Sequence, residues 1–266
     1  MSSKLIALVW CVTQSVVFVS SLYVLVPSQV RALDRSHPLH IQYRMRALIV
    51  ATVICGLGTY VLTGYKDPTE MMFLSNVTTQ TTILPLVSYM VLFIGPLAQI
   101  ALLPGSSSLN IGFGFWVDVR NLFVAPVTEE LVFRTFTVAT TAGMFSVDFI
   151  IYILPALFGF AHIHHAFMRV RRKECSPKRA FLEATFQTIY TTFFGALMMK
   201  VLFRTSNTLA VILIHSWCNL LGFPQVGALR DDYYNKERRL LTAMTYLIGI
   251  LLFGNFDFIV MYLSGV

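Results

Sequence analysis

Long apolar runs alternate along the chain with short polar connections, and the pattern repeats from one end to the other. A helix needs about 20 mostly apolar residues to cross the hydrocarbon core of a bilayer, and most of these runs reach that length. We therefore predict an all-α, polytopic membrane protein with about eight transmembrane helices. The predicted spans are residues 4–26, 44–64, 83–103, 126–145, 149–168, 181–203, 208–226 and 240–264.

Residues 104–125 are too polar for a simple span, since they include Asp118, Arg120 and Asn121 among glycines and serines. We expect an interfacial or re-entrant connection on the cytoplasmic side. Pro126 would then lie in the first turn of the next helix, where its missing N–H has no cost. The sequence contains no evident repeat or linker, which predicts a single membrane domain over residues 1–266.

The composition excludes a soluble domain. Of 266 residues, 56% are hydrophobic and 12% are charged, and the mean hydropathy is +0.69, whereas soluble domains carry roughly 25% charged residues. The formal charge of +7 does not indicate a nucleic-acid partner, because the cations lie in short loops between apolar runs. The expected environment is the lipid bilayer. The four cysteines are far apart in the sequence and predict neither a disulfide framework nor a thiolate zinc site.

The loop charges predict an orientation. Residues 27–46 carry four Arg and one Asp, and residues 169–179 carry six Lys or Arg and one Glu. Positively charged loops face the cytoplasm in membrane proteins. These two loops fall on one side of the bilayer if both termini face the other side, so we expect both loops to be cytoplasmic.

Charged residues in the fourth predicted span form an EExxxR motif. Glu130 and Arg134 are four residues apart, with the acid first, which favours an ion pair on one helix face. Glu129 is rotated by about 100° from Glu130, and its own i+4 residue is Phe133. A carboxylate with no fixed cation is the better candidate for a general base. The alternative is that the whole motif is a structural ion cluster.

Histidines and an asparagine lie in two later spans. His162 and His165 are three residues apart and share a helix face, whereas His164 points elsewhere. His215 and Asn219 are four residues apart and project together from one helix, where two neutral donors could stabilise an oxyanion. The alternatives are interfacial histidines for the first group and an interhelical hydrogen-bond clamp for the second.

The predicted depths of these groups agree. At 1.5 Å per residue, Glu129 lies about 5 Å from the predicted helix start at Pro126, His162 roughly 10 Å in, and His215 about 15 Å from its loop. With the orientation above, all three depths are measured from the cytoplasmic face, which predicts one shallow polar pocket.

A glutamate, a histidine and two neutral donors suit hydrolysis of an acyl bond. Glu129, assisted by His162, would deprotonate a water, and His215 and Asn219 would stabilise the resulting oxyanion. We expect no cofactor. A zinc-bound water held by His and Glu is the less favoured alternative, since the sequence has no HExxH motif.

Three motifs in fixed order resemble the ABI, or CPBP, family of membrane proteases, and within it the type II CAAX prenyl endopeptidases. They are EExxxR (Glu129, Glu130, Arg134), FxxxH (Phe158, His162) and HxxxN (His215, Asn219), all within residues 126–219. The cluster His162, His164 and His165 is similar to the eukaryotic branch. Each motif alone is weak, but the ordered set is specific.

This resemblance implies an endopeptidase that removes the last three residues from farnesylated or geranylgeranylated CAAX proteins, such as Ras-type GTPases. It also implies residence in the endoplasmic reticulum membrane, with the active site open to the cytoplasm. In that family the residues matching Glu129 and His162 activate water, and those matching His215 and Asn219 stabilise the oxyanion. Glu130, Arg134 and His165 would support them.

Two other function classes stay open from the sequence. A member of the same family could act as a membrane scaffold without proteolysis. An ion-coupled transporter is the third possibility, because intramembrane Glu and His also serve as relay residues.

Overall fold

A computed structural model describes residues 2–106, 109–231 and 233–263, with side chains in these ranges as far as residue 254. In these ranges the chain forms helices and turns and no β-strand, which confirms the predicted all-α class. The α-helices are α1 (Ser3–Val24), α2 (Ser28–Ala32), α3 (Pro38–Thr63), α4 (Pro68–Met71), α5 (Thr79–Leu92), α6 (Ile94–Leu102), α7 (Phe115–Val119), α8 (Ala125–Glu130), α9 (Phe136–Thr141), α10 (Val147–Tyr152), α11 (Ala156–Ala161), α12 (His164–Arg171), α13 (Pro177–Thr205), α14 (Thr208–Leu221) and α15 (Lys236–Leu263). Two π-helical segments, Arg120–Val124 and Leu131–Thr135, flank α8, and Val226–Arg230 forms a 3₁₀ helix.

The apolar helices confirm a multi-pass membrane protein. In the described part of the chain, four helical stretches are long and apolar enough to cross a membrane: Ser3–Val24, Pro38–Thr63, Val147–Arg171 and Pro177–Thr205. Helices α5 and α6 add a fifth if their 48° bend lies within one span.

The predicted count of eight spans is not confirmed. Helix α14 has 14 residues, fewer than the roughly 17–25 that a spanning helix needs. The end of the predicted span 240–264 lies outside the described residues.

The helices group into two compact units, each built from two separate segments of the chain. The first unit comprises Met1–Ser75 and Val127–Thr208, and the second comprises Asn76–Pro126 and Leu209–Val266. The acidic motif and the clustered histidines belong to the first unit, whereas His215 and Asn219 belong to the second. The single-domain assignment stays a prediction.

The helical stretch that carries Glu129 begins earlier than predicted. It starts at Phe115 and continues through both π-helical segments to Thr141. The last eleven residues of the polar stretch 104–125 are therefore helical, and its interfacial or re-entrant placement stays a prediction. Pro126 lies inside the helix, so its predicted position in the first turn is wrong. Glu129 follows Phe115 by 14 residues, so the predicted distance of about 5 Å from the helix start, which was counted from Pro126, is also wrong.

Aromatic packing fixes the part of this helix that belongs to the first unit. Phe133 packs edge-on against Phe18 of α1 with ring centroids 5.3 Å apart, and against Phe158 of α11 at 5.1 Å. All three rings are buried. Because Phe133 lies between Glu130 and Arg134 in sequence, its burial anchors the acidic motif to both neighbouring helices.

A close helix contact supports the backbone that carries His162. A Cβ on Gly159 of α11 would lie 2.1 Å from Thr192 Oγ1 and 2.7 Å from the Thr188 carbonyl oxygen of α13. We expect Gly159→Ala to lower the free energy of unfolding by about 1–3 kcal/mol through overpacking and to reduce activity, because His162 is three residues away. Thermal unfolding in detergent measures the first effect.

Gly254→Ala in α15 is the matched control, because a Cβ there meets no atom of the described residues within 4 Å. Alanine normally strengthens an open helical position. Equal melting temperatures for the two alanine variants would show that the contact between α11 and α13 is not tight.

Candidate active site

The EExxxR motif lies at the junction between an α-helix and a π-helical segment. Glu129 and Glu130 are the last two residues of α8, and Arg134 belongs to the π-helical segment Leu131–Thr135. Single π turns inside α-helices occur frequently at functional sites, because the extra residue per turn redirects side chains.

The predicted ion pair between Glu130 and Arg134 is present. Arg134 Nε lies 3.2 Å from Glu130 Oε2, and the two side chains are 1% and 0% exposed. The guanidinium also stacks over the ring of Phe158, with its central carbon 4.0 Å from the centroid, a distance at which cation–π attraction is effective. Water therefore cannot reach Glu130, which makes this acid a structural group rather than a candidate base.

Glu129 has a different environment from its neighbour. Its side chain is only half-buried, whereas the side chain of Glu130 is fully buried beside Arg134. A half-buried carboxylate keeps contact with water while it is partly desolvated, as a general base requires. Of the two acids, Glu129 is the one whose side chain is partly exposed.

His162 lies in the turn between α11 and α12, and its ring orientation is fixed. Nδ1 lies 2.8 Å from the carbonyl oxygen of Phe158. Since a carbonyl only accepts, Nδ1 carries the hydrogen and donates, and in the neutral ring Nε2 keeps its lone pair. The Phe158 ring also meets the imidazole edge-on, with centroids 4.7 Å apart.

Phe158 brings the first two motifs together within the first unit. One residue contacts both the guanidinium of Arg134 and the imidazole of His162. The FxxxH spacing has a physical basis, because the phenylalanine supplies both the ring for Arg134 and the carbonyl for His162.

The ring of His165 lies between those of the other two histidines in the order of contacts: it contacts both His162 and His164. The His165 ring is 5.9 Å from that of His162 and 4.0 Å from that of His164, in agreement with the predicted shared face of His162 and His165. The Nδ1 atom of His164 donates to the Ala161 carbonyl at 2.6 Å, and its ring faces Tyr23 of α1 at 6.0 Å. Within the described residues, no group of three or more His, Cys, Asp or Glu side chains is arranged to hold a metal ion.

In the second unit, α14 satisfies carbonyl groups of the first π-helical segment. The N–H of Ala125 reaches back to the Arg120 carbonyl. In this register the donor for the Asn121 carbonyl would be residue 126, a proline without N–H. Asn219 Nδ2 donates to that carbonyl at 2.9 Å, and Ser216 Oγ donates to the next one, that of Leu122, at 2.8 Å.

Asn219 therefore forms the interhelical clamp that the sequence allowed as an alternative. Its amide carries two N–H groups, and the bond to Asn121 uses one of them, so the other can serve a further acceptor. His215, one turn earlier in α14, is 6% exposed.

Asn110 and Asn121 are residues whose role the sequence did not reveal. The backbone N–H of Asn110 donates to the Leu220 carbonyl at 2.7 Å, and its Nδ2 donates to the Asn219 carbonyl at 3.1 Å. These bonds cap the C-terminal end of α14, whose last carbonyls have no intrahelical donor. The only signal in the sequence was that both asparagines lie in a stretch too polar to span.

Gly222 tests this cap. It has φ +67°, and a Cβ there would lie 2.3 Å from Asn110 Nδ2. We expect Gly222→Ala to lower the free energy of unfolding by about 1–2 kcal/mol from backbone strain, and also to reduce activity because Asn110 must move away from Asn219. Unfolding and turnover are measured on the same preparation.

Gly64→Ala separates these two effects. Gly64 has φ +70° at the C-terminal end of α3, but a Cβ there would meet nothing within 4 Å in the part of the chain that the structure describes. It should have the same backbone strain with near-normal turnover. Equal turnover in the Gly64 and Gly222 variants would contradict a role for the Asn110 cap.

The family model and the relatives that match this chain carry the same description. The sequence model described as type II CAAX prenyl endopeptidase Rce1-like matches residues 111–221, a range that contains all the candidate residues. The human protein named CAAX prenyl protease 2 is 32% identical over 262 residues, covering 91% of this chain and 77% of the human protein. The Schizosaccharomyces pombe protein named probable CAAX prenyl protease 2 is 27% identical, covering 89% of this chain and 87% of its own. No solved structure matches the chain significantly.

Proposed function

The chain belongs to the type II CAAX prenyl endopeptidase family, and from this premise we infer that it is a membrane-embedded hydrolase acting on prenylated CAAX proteins. It cleaves the peptide bond after the farnesylated or geranylgeranylated cysteine. The products are a free tripeptide and a protein that ends in a prenylcysteine carboxylate.

Glu129 is proposed as the general base. It takes a proton from a water held beside His162, and the hydroxide attacks the scissile carbonyl carbon. His215 and Asn219 donate to the oxyanion of the tetrahedral intermediate. The intermediate then collapses, the C–N bond breaks, and the proton held on Glu129 passes to the leaving amine, so that one water is consumed for each bond cleaved.

One observation carries this assignment: Phe158 contacts both Arg134 and His162. Residues of two motifs that are about 30 positions apart in sequence thus meet within one compact unit. A buried pair, Glu130 and Arg134, holds the helix in place, while the adjacent Glu129 remains accessible. The burial of Glu130 beside an accessible Glu129 supports a general-base role for Glu129.

The cytoplasmic location of the site is proposed from the two basic loops. Arg172 Nη2 donates to the carbonyl oxygens of Arg31 at 3.0 Å and Leu33 at 3.3 Å. The loop between α1 and α3 therefore lies against the end of α12, at one end of the first unit. Positive loops on one side favour the cytoplasmic face, here of the endoplasmic reticulum membrane.

Purified protein in liposomes with a farnesylated CAAX peptide tests this function. Mass spectrometry should detect the released tripeptide without any ion gradient, because hydrolysis needs only water. Turnover that depends on a gradient would favour the transporter hypothesis. A folded protein that cleaves neither the farnesylated peptide nor a geranylgeranylated one would favour the scaffold hypothesis.

Removal of metal ions gives a further expected result. Because the proposed base is a carboxylate, prolonged treatment with 1,10-phenanthroline and dialysis should leave turnover within about twofold of the untreated protein. A zinc protease treated in parallel serves as the positive control. Loss of turnover that zinc restores would replace this mechanism with the metal-bound water alternative.

A further inference from the structure

Arginines from separate parts of the first unit line one cavity where α1 ends, α3 begins and α12 ends. The cavity has a volume of about 350 Å³. Its polar lining residues are Arg31, Arg44, Arg171, Arg172, Ser28, Tyr23 and His40. No Asp or Glu among the described residues lines it.

Hydrogen bonds hold this lining in place. Arg172 binds the carbonyl groups of Arg31 and Leu33, and His40 Nδ1 donates to the carbonyl oxygens of Asp34 at 3.0 Å and Leu33 at 3.2 Å. Arg31 Nε is buried and has no hydrogen-bond partner among the described residues. A buried charged donor without an acceptor is costly, so the cavity is preorganised for an anion.

Nearby carboxylates neutralise the cluster only in part. Asp34 is exposed and accepts from the backbone N–H and hydroxyl of Ser36. Glu174 lies 3.6 Å from Arg169 and 4.0 Å from Arg172, so one acid is shared between two cations. Like charges gathered around one cavity repel each other, and a bound anion would relieve that repulsion.

Tyr23 connects this cavity to a second, apolar one. The second cavity has a volume of about 470 Å³ and lies between α1 and α11. Its lining includes Val12, Val16, Val19, Leu157, Phe160 and Tyr23. Because Tyr23 lines both spaces, a ligand with a charged head and an apolar tail can occupy them together.

We propose that the first unit binds an anionic phospholipid, with its phosphate in the arginine-lined cavity and an acyl chain in the apolar groove. Arginine suits this role because its planar guanidinium matches phosphate oxygens in a bidentate manner. The second, apolar cavity favours a lipid over free phosphate, since inorganic phosphate has no apolar part to fill it. Glu129 lines neither cavity, and the proposal does not depend on the proposed hydrolysis.

Native mass spectrometry of the full chain tests the proposal. Protein released from nanodiscs of equal phosphatidylglycerol and phosphatidylcholine should retain mainly phosphatidylglycerol. Arg31→Gln and Arg171→Gln should each weaken this retention about fivefold, as expected for one cation near an anionic headgroup. Equal retention of both lipids by the wild type, a result that needs no variant, would overturn the proposal.

Arg46→Gln is the matched control. Arg46 is exposed on α3, close to Arg44 in sequence, and contacts the Tyr43 ring rather than the cavity. The Arg46→Gln variant loses the same charge as the two test variants and should retain the lipid as the wild type does. If all three variants lose lipid equally, the effect is the general charge of this face and the cavity has no specific role.

Two further arms identify the ligand. Val16→Trp, which narrows the groove, should weaken retention of long-chain phosphatidylglycerol but spare a dihexanoyl form that has too short a tail to fill it. Displacement by millimolar inorganic phosphate would assign the site to free phosphate instead. Displacement by a farnesylated CAAX peptide would assign it to substrate, and either result would overturn the lipid proposal.

Discussion

Glu129→Gln is expected to lower kcat for a farnesylated CAAX peptide by about 10²–10⁴-fold, the usual contribution of a general base. Glutamine keeps the size and hydrogen-bonding capacity of the side chain but cannot accept the proton from water. Substrate binding does not require that proton transfer, so KM should change little. Initial rates over a range of peptide concentrations separate the two constants.

Glu70→Gln provides the control for this experiment. Glu70 is an exposed carboxylate in α4, within the same unit, and its loss should leave both constants close to wild type. The melting temperature of Glu129→Gln should also stay near wild type, because this half-buried residue can be replaced isosterically. A kcat within tenfold of wild type would exclude Glu129 as the base.

The second large effect is on stability. Replacing either member of the buried pair alone, by Glu130→Gln or Arg134→Met, should lower the free energy of unfolding by about 3–5 kcal/mol, because the partner's charge is left buried without compensation. Native proteins have about 5–15 kcal/mol of stability in total, so each variant should fold poorly. The double variant, which removes both charges, should recover most of the loss. Thermal unfolding in a single detergent measures all three.

The surface pair Arg179 and Glu183 offers a matched comparison. It has the same four-residue spacing, with 2.8 Å between Arg179 Nε and Glu183 Oε1, but the side chains are 71% and 38% exposed. Exposed pairs contribute about 0–1 kcal/mol, so Arg179→Met should be nearly neutral. Similar losses for the buried and surface variants would show that burial of Glu130 and Arg134 does not set their importance.

Much of the fold could be predicted from local sequence because hydropathy and helical spacing are local properties. Apolar runs near the length of a bilayer predicted α1, α3 and α13, and the i,i+4 spacing of Glu130 and Arg134 predicted their ion pair. The spacing of His215 and Asn219 likewise predicted that α14 presents polar groups to a partner.

The start of the helix around Pro126 could not be predicted in this way. A proline in a helix interior normally leaves a carbonyl without a donor, so the local rule placed it in a first turn. Here the side chains of Asn219 and Ser216, more than 90 residues later in the chain, donate to the Asn121 and Leu122 carbonyls. This compensation is tertiary, and no local pattern reveals it.

The same limitation applies to the arrangement around His162. The sequence placed Phe158 and His162 on one apolar segment, but the contact of Phe158 with Arg134 depends on how α11 packs against the preceding helical stretch. The difference in exposure between Glu129 and Glu130 also follows from packing, although the predicted choice of Glu129 as base agrees with it.

The central claim is that a water activated by Glu129 attacks the scissile carbonyl directly. Single-turnover cleavage in H₂¹⁸O, with rapid acid quenching and intact-protein mass spectrometry, tests this claim. We expect one ¹⁸O atom in the new prenylcysteine carboxylate, an unchanged protein mass at every time point, and no labelled product from Glu129→Gln within the time that the wild type needs for one turnover. A transient protein mass increased by the prenylated peptide fragment would reveal a covalent acyl-enzyme and contradict the proposed mechanism.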